Sequence, residues 1–276
     1  MKKFELSLFS IISGVGSASG LVYHQDKIYL ISDHSTYLYQ YSLLTTKLDK
    51  IALGNNSKEN IAKHLKPDFE TLTLSGNTLI FMSSGATQNR CLLGTFELQT
   101  RQYEVSSIET IFEHLKKELS ISDNDLNIEG LIITSQGMLF FQRGNGPSGI
   151  NAVISIDETN HQLDLPVLTF TPIDLPKIKT ITTTFTDAIQ VEDKIYFIAT
   201  AEDVASTYED GKVLGSIFGV LDVATLALEK YFLISETHKF EGITFYKKKE
   251  NSIEFLLCED KDNDVMLSSI YKLSVY

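Results

Sequence analysis

Tryptophan is absent from this chain of 276 residues, and arginine, cysteine and proline are scarce. The three arginines and the formal net charge of −12 argue against nucleic-acid binding, which requires clustered Lys and Arg. The two cysteines lie in separate apolar segments, so we expect buried thiols rather than a disulfide. No apolar run approaches the roughly 20 residues of a membrane-spanning helix, so we expect no membrane insertion.

The N-terminus superficially resembles a secretory signal, with two lysines followed by an apolar stretch. Glu5 interrupts that stretch, and the predicted fold needs the segment as a strand. We therefore expect a cytoplasmic protein. A periplasmic or secreted protein, with residues 1–16 as a cleaved signal peptide, is the alternative.

Aromatic and β-branched residues are abundant, including 12 Tyr and 16 Phe. They occur in short apolar segments, mostly in groups of four, separated by polar turns. This composition suits many half-buried β-strands.

A five-residue motif, clearest as Lys239-Phe240-Glu241-Gly242-Ile243, occurs five times along the chain. The copies lie about 50 to 60 residues apart, a period typical of β-propeller blades. The other four copies are Ser17-Ala18-Ser19-Gly20-Leu21, Asp68-Phe69-Glu70-Thr71-Leu72, Asn127-Ile128-Glu129-Gly130-Leu131 and Phe185-Thr186-Asp187-Ala188-Ile189. Four of the five carry a carboxylate at the third position.

The repeat predicts an all-β, five-bladed β-propeller in a single domain, residues 1–276. The predicted blades are residues 17–53, 68–106, 127–173, 185–234 and 239–276. The last blade is one strand short, and we expect residues 4–12 to complete it and so remove an open sheet edge. The apolar spacing of residues 57–66 and 106–119 predicts two short helices between blades.

In a propeller the first strand of each blade lines the central channel, so the third motif positions should form one ring. The predicted ring consists of Ser19, Glu70, Glu129, Asp187 and Glu241. Ionised carboxylates facing one another repel, and a hard cation would relieve that repulsion. Because the ring offers only oxygen ligands, we expect Ca²⁺, with Mg²⁺ as the alternative. A second interpretation is that the acids accept backbone N–H bonds and merely mark the blade starts.

The second strand of each blade should end beside the same channel opening. Asp33, Asn145, Glu202 and Asp260 are the candidate ligand-binding residues there. Arg143 is one of only three arginines, and it could bind an anionic group or pair with a ring acid. His34 is the candidate general base, since it is the single histidine expected at this face.

The motifs resemble those of five-bladed propellers related to calcium-activated apyrases. The resemblance is clearest at residues 239–243, then at residues 17–21 with the strand 27–33 that follows. The chain is also similar to phytase-like and esterase-like propellers and to uncharacterised bacterial propeller proteins. The resemblance implies axial-calcium roles for Ser19, Glu70, Glu129 and Glu241, and the fourth blade departs with Asp187 in place of Ser.

Two functions stay open at this point. One is a calcium-dependent hydrolase of a phosphate or carboxylic ester, in which Arg143 orients the anion and His34 or a ring acid transfers protons. The other is a non-catalytic scaffold that binds a ligand or protein and holds a structural cation. In both cases we expect a monomer that binds a small molecule at the channel opening.

Overall fold

The computed structural model describes residues 3–157, 167–203, 211–261 and 265–276. Five four-stranded antiparallel sheets form the blades of a propeller, and a two-stranded hairpin accompanies them. The predicted five-bladed fold is confirmed. Residues 158–166, 204–210 and 262–264 belong to the predicted blade ranges but lie outside the described residues.

Strands are numbered in chain order, beginning with β1 (Phe4–Ser13). Blade 1 contains β2 (Ala18–His24), β3 (Lys27–Ser32), β4 (Tyr37–Ser42) and β5 (Leu48–Ala52). Blade 2 contains β6 (Phe69–Ser75), β7 (Thr78–Ser83), β8 (Leu92–Glu97) and β9 (Tyr103–Ser107). Blade 3 contains β10 (Ile128–Ile133), β11 (Gly137–Gln142), β12 (Ala152–Asp157) and β13 (Val167–Pro172).

The hairpin β14 (Lys177–Ile178) and β15 (Ile181–Thr182) follows blade 3. Blade 4 contains β16 (Thr184–Val191), β17 (Lys194–Asp203), β18 (Lys212–Asp222) and β19 (Leu228–Ser235). Blade 5 contains β20 (Lys239–Lys249), β21 (Ser252–Asp260), β22 (Leu267–Val275) and, as its outermost strand, β1.

The N-terminal strand closes the propeller as predicted. β1 pairs antiparallel with β22 along its whole length, from Phe4 opposite Val275 to Ser13 opposite Leu267. The first and last strands of the chain therefore share one sheet, and their hydrogen bonds hold the ring shut.

The inner strands β2, β6, β10, β16 and β20 contact one another in that order, and β20 returns to β2. Five hydrophobic clusters fill the spaces between neighbouring blades, one at each interface. At two interfaces a glycine in the third strand makes room for a ring of the second. A Cβ on Gly94 would lie 2.0 Å from the ring of Phe81, and one on Gly219 would lie 2.1 Å from the ring of Phe197.

One of the two predicted helices is present. Helix α1 (Glu109–Leu119) lies between blades 2 and 3, where Phe112 and Leu115 are buried. The prediction of a helix at residues 57–66 is wrong: the segment contains a turn but no helix. Its N–H groups bond to blade 1 instead, as from Ile61 to the carbonyl oxygen of His34 (2.9 Å). A 3₁₀ turn occupies Gln88–Arg90, and no helix in the described ranges could span a membrane.

Candidate functional site

Each inner strand has a residue, at the same place in every blade, that is skipped in the pairing with the second strand; a second bulge, at Tyr246 in β20, has no counterpart in the other inner strands. Such a β-bulge re-aims one side chain, and on an inner strand the available direction is toward the channel. We call these five residues the bulge ring. They are Ser19, Glu70, Glu129, Thr186 and Glu241.

The bulge ring differs from the predicted ring at one position. In blade 4 the register shift lies between Phe185 and Asp187, so the skipped residue is Thr186. Asp187 corresponds instead to the position after the bulge, which Gly242 occupies in blade 5. The fourth copy of the motif therefore spans residues 184–188, one residue earlier than predicted from the sequence.

The two hydroxyls of the ring tie neighbouring blades together. Ser19 Oγ donates to the carbonyl oxygen of Phe69 (2.5 Å), and Thr186 Oγ1 donates to that of Phe240 (2.7 Å). Each acceptor directly precedes the bulge of the next blade. A hydroxyl that donates its hydrogen in this way keeps its lone pairs available as acceptors.

Asp187 has a structural contact of its own. Its Oδ1 accepts the N–H of Ala188 (2.7 Å), and its Oδ2 accepts the N–H of Ile243 in the next blade (2.8 Å). Burial raises the pKa of this carboxyl well above its ordinary value, while the two N–H groups act in the opposite direction. This geometry matches the second interpretation of the repeated acids at one of the predicted positions.

An arc of ion pairs crosses blades 3, 4 and 5 above the ring. Arg143 contacts Glu129 Oε1 (3.2 Å) and Glu202 Oε2 (2.9 Å), and its Nε donates to a threonine hydroxyl. Lys239 Nζ then contacts Glu202 Oε1 (3.2 Å) and Asp260 Oδ2 (3.7 Å). Of the two roles left open for Arg143, the contacts match pairing with ring acids.

A second arc crosses blades 1 and 2. His34 Nδ1 lies 2.6 Å from Asp33 Oδ1, and Lys66 Nζ contacts Asp33 and Asp68, the latter at 2.7 Å. Arg90 completes the arc at Asp68 Oδ2 (3.1 Å). The hydrogen bond that His34 Nδ1 donates to Asp33 raises the pKa of His34, which favours the protonated ring over the free base that was predicted.

The structure thus brings together most of the residues predicted at the opening. Asp33, His34, Arg143, Glu202 and Asp260 all belong to the two arcs. Asn145 lies beside them, where its Oδ1 accepts a hydrogen bond from Asn127 (3.3 Å).

The sequence interpretation missed four residues at this opening: Lys66, Arg90, Lys239 and His238. Lys239 is the first residue of the clearest motif copy, and its place two residues before Glu241 could have indicated that it lies near the ring. His238 precedes it and pairs through Nδ1 with Glu259 Oε1 (2.6 Å), so His34 is not alone at this face. Lys66 and Arg90 come from connecting segments whose path the strand pattern does not reveal.

Two further ring carboxylates, Glu70 and Glu241, differ in their surroundings, because Glu241 contacts Lys239 and Arg143 of the first arc (3.1 and 4.0 Å) and Glu70 does not. Glu70 makes no hydrogen bond or ion pair within the described part of the chain. Burial, then the charges of Glu129 and Asp68, raise its pKa well above the ordinary value. Burial also raises the pKa of Glu241 to about 8, although Lys239 at 3.1 Å acts in the opposite direction.

The raised pKa of Glu241 predicts a pH dependence of stability. The folded protein holds a proton that the unfolded chain releases near pH 4.5, so stability from this group falls as the pH rises toward 8. In chelator, we expect the melting temperature to fall between about pH 5 and 8, and to fall less in Glu241→Gln. Thermal melts across that range, with the exposed Glu236→Gln as control, test this. Parallel curves for all three proteins would contradict it.

The spacing of the carboxylates limits direct chelation. Among the described residues, three carboxylates bring oxygens within 4.8 Å of one another at one place, formed by Asp33, Asp68 and Glu70. The Lys66 ammonium group contacts two of the three. No three of the ring acids therefore bring oxygens as close to one another as three oxygens bound directly to one ion.

The fold and the site define a five-bladed β-propeller with a charged channel opening. The chain belongs to the DUF6929 family, a family of unknown function whose model matches residues 14–275. A comparison of the sequence with curated proteins gives no match.

Two solved structures share the fold at low sequence identity. Glutaminyl cyclase from Myxococcus xanthus is 14% identical, with a TM-score of 0.52 over 98% of this chain and 97% of that one. A luciferin-regenerating enzyme is 8% identical, with a TM-score of 0.52 over 98% and 95%. At these identities the likeness concerns the fold alone. The resemblance to apyrases and phytase-like propellers in particular stays a prediction.

Proposed function

We propose that the bulge ring binds one divalent cation on the channel axis, calcium in the first place and magnesium as the alternative. Glu70 and Glu241 would supply the charge, and Ser19, Glu129 and Thr186 would supply further oxygens. All five positions offer oxygen ligands, which suit a hard cation.

The charge balance at the opening supports a doubly charged ion. With His34 protonated, the two arcs hold five carboxylates and five cationic groups. These are Glu129, Glu202, Asp260, Asp33 and Asp68 against Arg143, Lys239, His34, Lys66 and Arg90. Adding Glu70 and Glu241, the latter in contact with Lys239, leaves an excess of two negative charges, which matches the charge of one divalent cation.

The proposal rests on one observation, the lack of a protein partner for the side chain of Glu70 in the described ranges. A carboxylate withdrawn from water is costly unless it is paired or protonated, and the half-buried Glu70 has no hydrogen-bond or ion-pair partner for its side chain in the described ranges. Two oxygens bound to one calcium ion lie at most about 4.8 Å apart, twice a typical bond length. We therefore infer that water completes the coordination between the more distant ring residues.

Thermal melts with added metal test the proposal. We expect Ca²⁺ to raise the melting temperature of the chelator-treated protein by several degrees, because an ion that binds only the folded state stabilises it. The double variant Glu70→Gln/Glu241→Gln should lose this shift and melt no lower in chelator, since the repulsion is gone. The exposed Glu104→Gln/Glu236→Gln pair is the matched control. An unchanged shift in the ring variant would exclude these residues as ligands.

A calcium-dependent hydrolase is the second candidate, favoured by the raised pKa of Glu241. In this candidate the other ring residues would hold the calcium and Glu241 would not be a ligand, because a carboxyl with a pKa of about 8 is protonated at neutral pH and can donate to a leaving group. Against this candidate, the guanidinium group of Arg143 is already paired with Glu129 and Glu202, so it is not free to bind an anionic ester. Turnover of a panel of phosphate and carboxylic esters that disappears in chelator and in Glu241→Gln would establish the hydrolase. With no such turnover and a retained calcium shift, the scaffold function stands.

A further inference from the structure

The channel has a second opening at the far end of the inner strands, where a cavity of about 510 Å³ lies. It begins two residues beyond the bulge ring, at Leu72, Ala188 and Ile243, or about 7 Å along the strands. All five blades line it, and its volume falls within the range of about 300–1,000 Å³ found for small-molecule sites.

The lining combines aliphatic walls with uncharged polar groups. Val22 and Ile132 contribute to the walls, while Thr73, Thr134, Gln190 and Thr244 contribute hydroxyls and an amide. Glu192 is the charged residue among those lining the cavity, and Lys248 neutralises it at 2.8 and 3.0 Å. None of the described residues that line this cavity carries an unpaired charge.

Backbone donors also face this cavity. The N–H of Tyr23 turns away from its partner strand and donates to Thr244 Oγ1 (3.1 Å). Tyr23 lies four residues after the bulge of its strand. The residues four positions after the bulge in the other inner strands all line the cavity as well: Leu74, Ile133, Gln190 and Phe245. Because the antiparallel ladder alternates, their N–H groups also point away from the second strand, and no described side chain accepts from them.

We propose that this cavity binds an uncharged, hydroxyl-rich small molecule of about sugar size. Uncharged donors and acceptors match hydroxyl groups, which both donate and accept. Aliphatic walls match the carbon skeleton, and a charged ligand would be desolvated there without a counterion. The proposal is independent of the cation at the other opening.

Saturation-transfer NMR and calorimetry with a panel of neutral sugars and polyols test the proposal. Glucosamine and gluconate serve as charged counterparts. We expect saturable binding of at least one neutral compound and at least tenfold weaker binding of the charged ones. Ser135→Trp, which fills the cavity rim, should weaken binding at least tenfold, and Thr73→Val should weaken it severalfold. The exposed Thr45→Val is the matched control.

Glu70→Gln/Glu241→Gln should bind the neutral compound normally, which separates this site from the cation site. Two results would overturn the proposal: no saturable binding by any compound of the panel, or binding that Ser135→Trp leaves unchanged. Circular dichroism and melting temperature confirm that each variant is folded. If Ser135→Trp fails to fold, Ser135→Phe and Thr73→Val decide by the same criterion.

Discussion

Replacing Arg143 by methionine is expected to lower the free energy of unfolding by about 3–5 kcal/mol. The guanidinium group is buried and contacts Glu129 and Glu202, both of which are themselves nearly inaccessible. Methionine keeps much of the volume but leaves the buried Glu129 without its cationic partner and leaves Glu202 with Lys239 alone. The cost is the desolvation of uncompensated charge rather than a lost surface contact.

The matched control is Arg101→Met. Arg101 is exposed and donates to Gln40 Oε1 (3.2 Å), so its replacement should change stability by less than about 1 kcal/mol. Denaturant unfolding at neutral pH measures both variants. If both variants lost the same small amount of unfolding free energy, the ion pairs across blades 3 to 5 would not be what balances the charge of the buried acids.

The Arg143→Met variant should also show a pH effect. Burial raises the pKa of Glu129, and protonation removes its charge, so the loss of stability in Arg143→Met should shrink as the pH falls toward 5. A deficit that is constant with pH would point to lost packing instead of unpaired charge.

Deleting residues 1–13 is expected to abolish cooperative folding. The deletion removes β1, exposes the edge of β22 along nine residues, and takes Ile12 out of the cluster between blades 5 and 1. An exposed edge of this length is also a template for aggregation. We expect aggregated protein on size exclusion and no sharp thermal transition.

Deletion of residues 1–3 alone is the control, because it removes no residue of the strand. A synthetic peptide of residues 1–13, added during refolding, should restore part of the soluble protein. If the longer deletion stays monomeric and melts within about 3 °C of the intact chain, the closing strand is dispensable and this part of the account is wrong.

The sequence predicted the fold well because the signal was repeated. Five copies of one motif at regular spacing outweigh the ambiguity of any single strand, and the missing strand at one end matched the spare strand at the other. The helix at 57–66 failed for the opposite reason. Its pattern rested on Ile61 and Leu65, and Leu65 is 65% exposed, so no apolar face was being buried.

The site was predicted in outline rather than in contacts. The position of Asp187 could not be corrected from the motif, because a threonine and an aspartate stand side by side and both offer oxygen. Only the pairing of β16 with β17 shows that Thr186 is the skipped residue. Lys66 and Lys239 meet their acids across blades, and such long-range pairing leaves no local pattern in the sequence.

A crystal structure of the protein grown with calcium would show whether a divalent cation lies between Glu70 and Glu241. We expect electron density with anomalous signal on the channel axis, with oxygens of both residues about 2.4 Å away or joined through ordered water. An axis that holds only water at saturating calcium, with Glu70 bonded to a protein cation, would contradict it.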